Sequence, residues 1–288
     1  MNRFYSPKTI AILFNDRLRE AESLASEIKL KLIDDFKVFS QSTESALSDG
    51  LNNSKTDLVI SIGGDGTVLR CAHVLDGTDC PILAINMGRL GFLCEVDFLD
   101  IDQKLNSYLQ GDAVIEKRFR LKINLHNNNS KKEFFALNDF VLARGAKVRI
   151  VDVEASLDDN HFATYRGDGV VVSTATGSTA YSLSLGGAIL PPSSSNMIIK
   201  PIASHTSLVG GLVVEGESKL RLKADSREDL SITVDGFIDI QLREFDFIDI
   251  QIDDLNTVDF VRSADFKTEY WTSLAKKLEL RKGDSLGK

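Results

Sequence analysis

Apolar and polar positions follow two different periods along this chain. Up to about residue 115, short apolar runs alternate with stretches of helical spacing. Thr9–Phe14 (TIAILF), bounded by Pro7 and Asn15, reads as a buried strand. Leu18, Leu24, Ile28 and Leu32 then recur near helical spacing and predict a helix over 18–33. Asp57–Ile62 (DLVISI) is a second buried strand, followed by a helix over Val68–Val74. Pro81–Ile85 predicts a third strand and Ile101–Leu109 a further helix. Strands and helices in such a series fold as a parallel sheet covered by helices.

From about Arg118 the period becomes two. Leu121, Ile123 and Leu125 alternate with Lys122 and Asn124, and Asn127–Ser130 reads as a hairpin turn before Phe134–Leu142. Further strands are predicted at Val148–Val153, Gly169–Ser173, Leu212–Val214, Leu220–Leu222, Leu230–Val234, Ile238–Leu242 and Phe247–Ile252. That many short strands with turn signals between them fit an all-β sandwich or a related stack. The last segment turns helical again. Trp271, Leu274, Ala275 and Leu278 share one face, with Lys276, Lys277 and Lys282 outside it. This terminal helix is expected to pack on the first domain.

Composition narrows the function. The chain has 288 residues, 43% of them hydrophobic, so it has ample material for a core. Acidic residues outnumber basic ones by 42 to 34, a net charge of −8, and the pI is about 5.1. A general nucleic-acid binder draws its affinity from Lys and Arg on phosphates, so that class is excluded. An anionic ligand would need a local positive field from backbone N–H groups, a few arginines or a metal. The N-terminal apolar run is too short for a signal peptide, and no stretch approaches a membrane span. Cys71, Cys80 and Cys94 form no CxxC pair and read as reduced thiols, and the expectation is a cytoplasmic protein without membrane attachment.

Four constellations carry candidate chemistry. Gly63-Gly64-Asp65-Gly66-Thr67 follows a buried strand and opens a helix. Glycines there are expected to allow positive φ and close ligand approach, and free N–H groups at a helix start attract phosphate. A Walker lysine is missing, and Leu69 stands where the dinucleotide fingerprint needs its third glycine. Asp65 would repel phosphate unless it binds a metal or accepts a proton; as a plain alternative it caps the helix toward Thr67 and Val68. Asn86-Met87-Gly88-Arg89-Leu90-Gly91-Phe92-Leu93 puts a cation and open backbone after the next strand, or else is an ordinary turn. Asn138-Asp139 interrupts an apolar stretch and reads either as a pair for sugar hydroxyls or as a strand end with an Asx turn. Arg166 to Gly187 runs a β-branched strand into Ser173, Thr174, Thr176, Ser178, Thr179, Tyr181, Ser182 and Ser184, hydroxyls that could orient a ligand. It is no nucleophile elbow.

Taken together, GGDGT at 63–67, NMGRLGFL at 86–93, LND at 137–139, DGVVVSTATGSTAYSLSLGG at 168–187 and TVDG at 233–236 resemble the NAD kinase family. The resemblance covers nearly the whole chain. It implies a Rossmann-like α/β domain over 1–115 with 266–288 returning to it, and a β-sandwich NAD-binding domain over 116–265. It implies transfer of the ATP γ-phosphoryl group to the 2′-hydroxyl of the adenosine ribose of NAD, with a divalent metal ion, Mg²⁺ by expectation. Asp65 would be the catalytic carboxylate, with Gly63, Gly64, Gly66 and Thr67 along the phosphate path. NAD contacts would come from Asp65, Gly66, Phe92, Asn138, Asp139, Arg166, Asp168, Thr176, Thr179, Ala180, Tyr181, Ser184 and Ala203, with no metal ligands assigned. Asp168 and Ala203 match positions that reach a neighbouring subunit's ligand, which implies a homo-oligomer, dimer or tetramer.

The chain departs from the family in three places. Ala175 replaces a frequent proline, and a softer turn without loss of function is expected. Ser204-His205 is followed by Gly210-Gly211 where the family carries an Arg-Pro pair. Arg166 goes with preference for NAD, so weak use of NADH is expected. Two rivals remain: a non-catalytic dinucleotide sensor, and a GGDG-type lipid or sugar kinase. A dehydrogenase lacks its fingerprint.

Overall fold

A computed structural model describes residues 2–52, 55–88, 91–128, 130–146, 149–204, 211–224, 230–242 and 245–280. Val148, Arg89, Leu90, His205, Gly210 and Lys282 lie outside the described residues. The chain divides into two compact units, Met1–Glu116 with Asp259–Lys288, and Lys117–Val258.

The first unit holds β1 (Asn2–Arg3), β2 (Thr9–Phe14), α1 (Arg19–Leu32), β3 (Lys37–Ser42), α2 (Thr43–Asp49), β4 (Leu58–Gly63), α3 (Asp65–Val74), β5 (Ile82–Asn86), β6 (Val96–Asp97), α4 (Ile101–Leu109) and the start of β7 (Val114–Asn127). The strands β3, β2, β4 and β5 lie side by side, all parallel, as the alternating series predicts. Every residue of β4 and β5 is buried, which explains why both read as unbroken apolar runs rather than alternating ones. Helix α1 buries Ala21, Ala25, Ile28 and Leu32, one stripe at helical spacing. Two alanines carry half of that stripe, while Leu18 stays exposed.

The second unit holds the rest of β7, then β8 (Ser130–Ala136), β9 (Asp139–Arg144), β10 (Val151–Leu157), β11 (Asn160–Gly167), β12 (Gly169–Ser173), α5 (Tyr181–Ser184), β13 (Met197–Ile202), β14 (Leu212–Val214), β15 (Leu220–Ala224), β16 (Leu230–Val234), β17 (Ile238–Leu242) and most of β18 (Phe247–Arg262). One sheet runs β14-β13-β12-β9-β16-β17, antiparallel throughout. Antiparallel β10, β11, β15 and β18 face it, and Leu121, Ile123, Phe140, Leu142, Val170, Val172, Leu222 and Ile248 fill the core. This is the predicted β-sandwich. The expected single strand Phe134–Leu142 is two strands, β8 and β9, broken at Leu137-Asn138.

The end of β18 returns to the first unit, where Phe260 pairs in parallel with Ile82. Helix α6 (Phe266–Lys277) follows. The expected helical face needs correction: Leu274 is buried, but Trp271 is 54% exposed and Lys277 is half-buried. No helix among the described residues is long and apolar enough to cross a membrane.

Candidate active site

In the first unit, β4 and β5 end in register, Gly63 opposite Asn86, so the GGDGT turn and the second glycine loop leave neighbouring strands side by side. Ligands gather at this carboxyl edge of parallel sheets. A Met87 N–H bond to the Gly63 carbonyl, 3.0 Å, ties the loops together. The expectation of positive φ at the GGDGT glycines is not met: Gly64 is extended, with φ −114° and ψ −170°, and Gly63 and Gly66 also lie outside the left-handed region. What Gly64 supplies is room, because a Cβ there would meet nothing within 4 Å.

Asp65 is not the helix cap. Gly64 caps α3, its carbonyl accepting from Thr67 N and Val68 N. The Asp65 carboxylate turns instead to the second loop, accepting from Phe92 N at 2.7 Å and Leu93 N at 3.0 Å. The Cys94 thiol lies 3.9 Å from the same group. Gly91 is required by this approach: a Cβ on it would lie 2.0 Å from Asp65 Oδ1.

The other side of that loop is held by cations. Lys277 donates to the Gly91 carbonyl, and its ammonium sits 4.7 Å from the centre of the Phe92 ring. Arg262, buried at the end of β18, donates to Leu93 O at 3.0 Å, to Glu95 at 3.2 Å and to Glu116 at 2.9 Å. Burial works against the Arg262 charge, and Glu116 and Glu95 more than offset it. Glu95 also accepts from Ser263 N and from the Tyr108 hydroxyl, each at 2.9 Å. Burial holds the Lys277 proton affinity below the usual lysine range, and the Asp65 charge opposes that shift. The Cys94 thiol is pushed up to about 12, chiefly by burial. Sequence reasoning missed Lys277, Arg262 and Glu95, since each comes from a segment with no motif of its own.

In the second unit, β12 pairs with β9 so that Ser173 lies opposite Asp139. The Leu137-Asn138-Asp139 backbone turns around the Asp235 carboxylate, which accepts N–H bonds from all three residues at 2.8, 2.7 and 3.1 Å. Thr174 braces the same turn, its hydroxyl donating to Leu137 O at 2.6 Å and its N–H to Asn138 O at 2.9 Å. A Cβ on Gly177 would fall 2.0 Å from Asn138 O, so only glycine fits there. The Tyr181 backbone N–H lies near the Asp139 carboxyl and favours its charged form. Asp139 is 6% exposed, and its carboxyl is pushed up to about 7 by burial and, second, by the Asp235 charge.

Part of the hydroxyl run is internal to its own loop. Ser173, Thr174, Ser178 and Ser182 are buried, and the first three bond to backbone within the loop or its neighbours. Ala175, in place of proline, is buried and keeps a turn through Ser178. Thr176 accepts from Arg118 at 3.3 Å, Thr179 donates to Thr176 O at 3.2 Å, and Tyr181 and Ser184 are exposed beside Ala180.

Asp168 and Ala203 sit beyond the other end of β12, about 16 Å from Ser173 at strand rise. They lie close together, with Asp168 N bonded to Ile202 O, and Ala203 has φ +46°. Arg144 donates to Asp168 at 2.9 Å. Arg166 stands apart on β11, exposed and 3.8 Å from Asp152. Among the described residues no three His, Cys, Asp or Glu side chains gather as a metal cage.

Two sequence families match the chain. The one described as the ATP-NAD kinase N-terminal domain matches residues 8–113, and the one described as the ATP-NAD kinase C-terminal domain matches residues 137–262. A relative named NAD kinase from Dehalococcoides mccartyi is 35% identical over 80% of this chain and 82% of its own length. An NAD kinase from Caldanaerobacter subterraneus is 44% identical over 64% of this chain; the match spans 65% of that relative, just under two thirds. Among solved structures, yeast NADH kinase complexed with NADH superposes with a TM-score of 0.80 at 22% identity, covering 98% of this chain and 90% of that one. An NAD kinase from Archaeoglobus fulgidus in complex with ATP gives 0.76 at 23% identity, covering 94% and 98%. These two likenesses establish the fold.

Proposed function

The chain belongs to the ATP-NAD kinase family, and we propose that it phosphorylates NAD to NADP, taking the γ-phosphoryl group of ATP onto the 2′-hydroxyl of the adenosine ribose. The observation that carries this reading is the Asp65 carboxylate, uncapped at the mouth of α3 and aimed by two backbone N–H groups. A secondary hydroxyl is a poor nucleophile, and a carboxylate beside it withdraws its proton as the new O–P bond forms and the bond to ADP breaks. Asp65 Oδ2 accepts the Phe92 N–H and keeps a lone pair for the hydroxyl, while Oδ1 is taken up by the Leu93 N–H and the Cys94 thiol.

Gly63, Gly64, Gly66 and Thr67 are assigned to the phosphate path. The open space at Gly64 and the N-terminus of α3 suit an anion. Phe92, Asn138, Asp139, Thr176, Thr179, Ala180, Tyr181 and Ser184 are assigned to NAD, together with Asp65 and Gly66. In this reading residues 1–115 with 266–288 handle phosphate, and 116–265 bind the dinucleotide. Asp168 and Ala203 would serve a neighbouring subunit's ligand in a homo-oligomer, a dimer or tetramer, in the cytoplasm. Arg166 is assigned to the preference for NAD over NADH. A divalent ion, Mg²⁺, enters on the phosphates of the donor as part of the substrate.

The test is incubation of the purified protein with NAD, ATP and Mg²⁺, with NADP read by an NADP-specific coupled dehydrogenase, beside Asp65→Asn. Wild-type turnover and a loss of about 10²–10⁴-fold in the variant are expected. Equal rates would remove Asp65 from catalysis. A folded wild type that binds NAD and makes no NADP would replace the kinase with a dinucleotide sensor.

A further inference from the structure

We infer that Lys277, on the C-terminal helix α6, is a positioning residue that aims the Phe92 N–H at Asp65; for its catalytic consequence this rests on the kinase reading. The argument is one of peptide geometry. The Gly91 carbonyl and the Phe92 N–H are the two ends of a single planar peptide unit. Lys277 holds the carbonyl end, and Asp65 receives the N–H end at 2.7 Å. Fixing the oxygen therefore fixes the direction of the N–H. A cation on the oxygen also polarises the unit and strengthens its donation to the carboxylate.

The ammonium is kept in place by the Phe92 ring face, 4.7 Å away. The charged and titratable groups around it are Asp65 from α3, Cys94 and Glu95 from the glycine loop, and Arg262 from the end of β18. Neighbouring Lys276 on the same helix is exposed, so the half-buried position is particular to Lys277. Arg262 holds Leu93 O, which belongs to the next peptide but one, and so cannot substitute for the grip on Gly91.

The test compares Lys277→Met and Lys277→Arg with the wild type. In the Met variant, kcat for NADP formation is expected to fall about tenfold, with KM for NAD and for ATP changed by less than about twofold. Amide hydrogen exchange at Phe92 is expected to quicken about tenfold, with exchange in the β-sandwich unchanged. The Arg variant, which keeps a cation of similar reach, should recover most of the rate. The inference is overturned if Lys277→Met keeps the wild-type kcat, or if kcat falls only with the folded fraction while Phe92 exchange is unchanged. Should Lys277→Met fail to fold, Lys277→Leu, which likewise removes both donor and charge, is read in the same way. A wild type that makes no NADP sinks the kinase reading alone, and Phe92 exchange still decides the positioning role.

Discussion

Asp139 shows how far a residue's chemistry depends on its neighbours. It is buried beside the Asp235 carboxylate, and its carboxyl rises from an ordinary 3.8 to about 7. The folded chain therefore keeps a proton that the unfolded chain releases between about pH 4 and pH 7. Stability from this group is present at the acid end of that window, declines as pH rises through it, and is level above it. Asp139→Asn cannot ionise and should flatten this decline, gaining on the wild type between pH 4.5 and pH 7.5 in urea midpoints. Equal slopes for the two proteins would show that Asp139 ionises normally. The pair Asn138-Asp139 was legible in the sequence as polar residues in need of partners. That their backbone N–H groups are held by a carboxylate about a hundred residues away was not, because nothing local encodes it.

Among elements, the Asp235-Gly236 turn links two roles. Asp235 has φ +50° and Gly236 φ +73°, closing the hairpin between β16 and β17 in a conformation that Asp-Gly pairs favour. The same Asp235 side chain gathers three N–H groups of the LND turn. Asp235→Ala strands those donors and should cost about 3 kcal/mol or more in urea unfolding, with weaker NAD binding. A loss below about 1 kcal/mol would mean that water replaces the carboxylate. Two of the strands the sequence pattern missed lie in a mixed environment. Strand β3 is only partly buried, β11 is mostly exposed, and each breaks the clean alternation that reveals a strand. Strand β13 contains Pro201, which argues against an inner strand. It is tolerated because β14 pairs only Met197 to Ile199, leaving Pro201 beyond that ladder.

For the whole molecule, an acidic protein of net charge −8 is proposed to bind two anionic ligands. The described structure meets this locally. The helix start at Gly64 and the Lys277 ammonium are the local positive features, while Arg262 is balanced by Glu95 and Glu116. NAD at about 100 times its Kd should stabilise the native state by about 2.7 kcal/mol through mass action, a rise of several degrees in Tm. A Tm that does not move with NAD would remove the dinucleotide from the reading. The three thiols, at Cys71, Cys80 and Cys94, are each pushed up to about 12 by burial and form no disulfide, so the fold stands on its two cores.

The change of period from helix-and-strand to strand-and-strand was enough to specify an α/β part followed by a β-sandwich, because burying one face of each element imposes its own spacing. The order of short motifs was enough to point to the family. Contacts between remote segments carry no such periodic trace. Asp65 looked like a helix cap or a base, and folding gave it the N–H groups of Phe92 and Leu93. Lys277 looked like a solvated lysine, and folding set it on the Gly91 carbonyl. Such pairings depend on which strand ends lie side by side and on where the last helix comes to rest, and these are settled by packing rather than by local pattern.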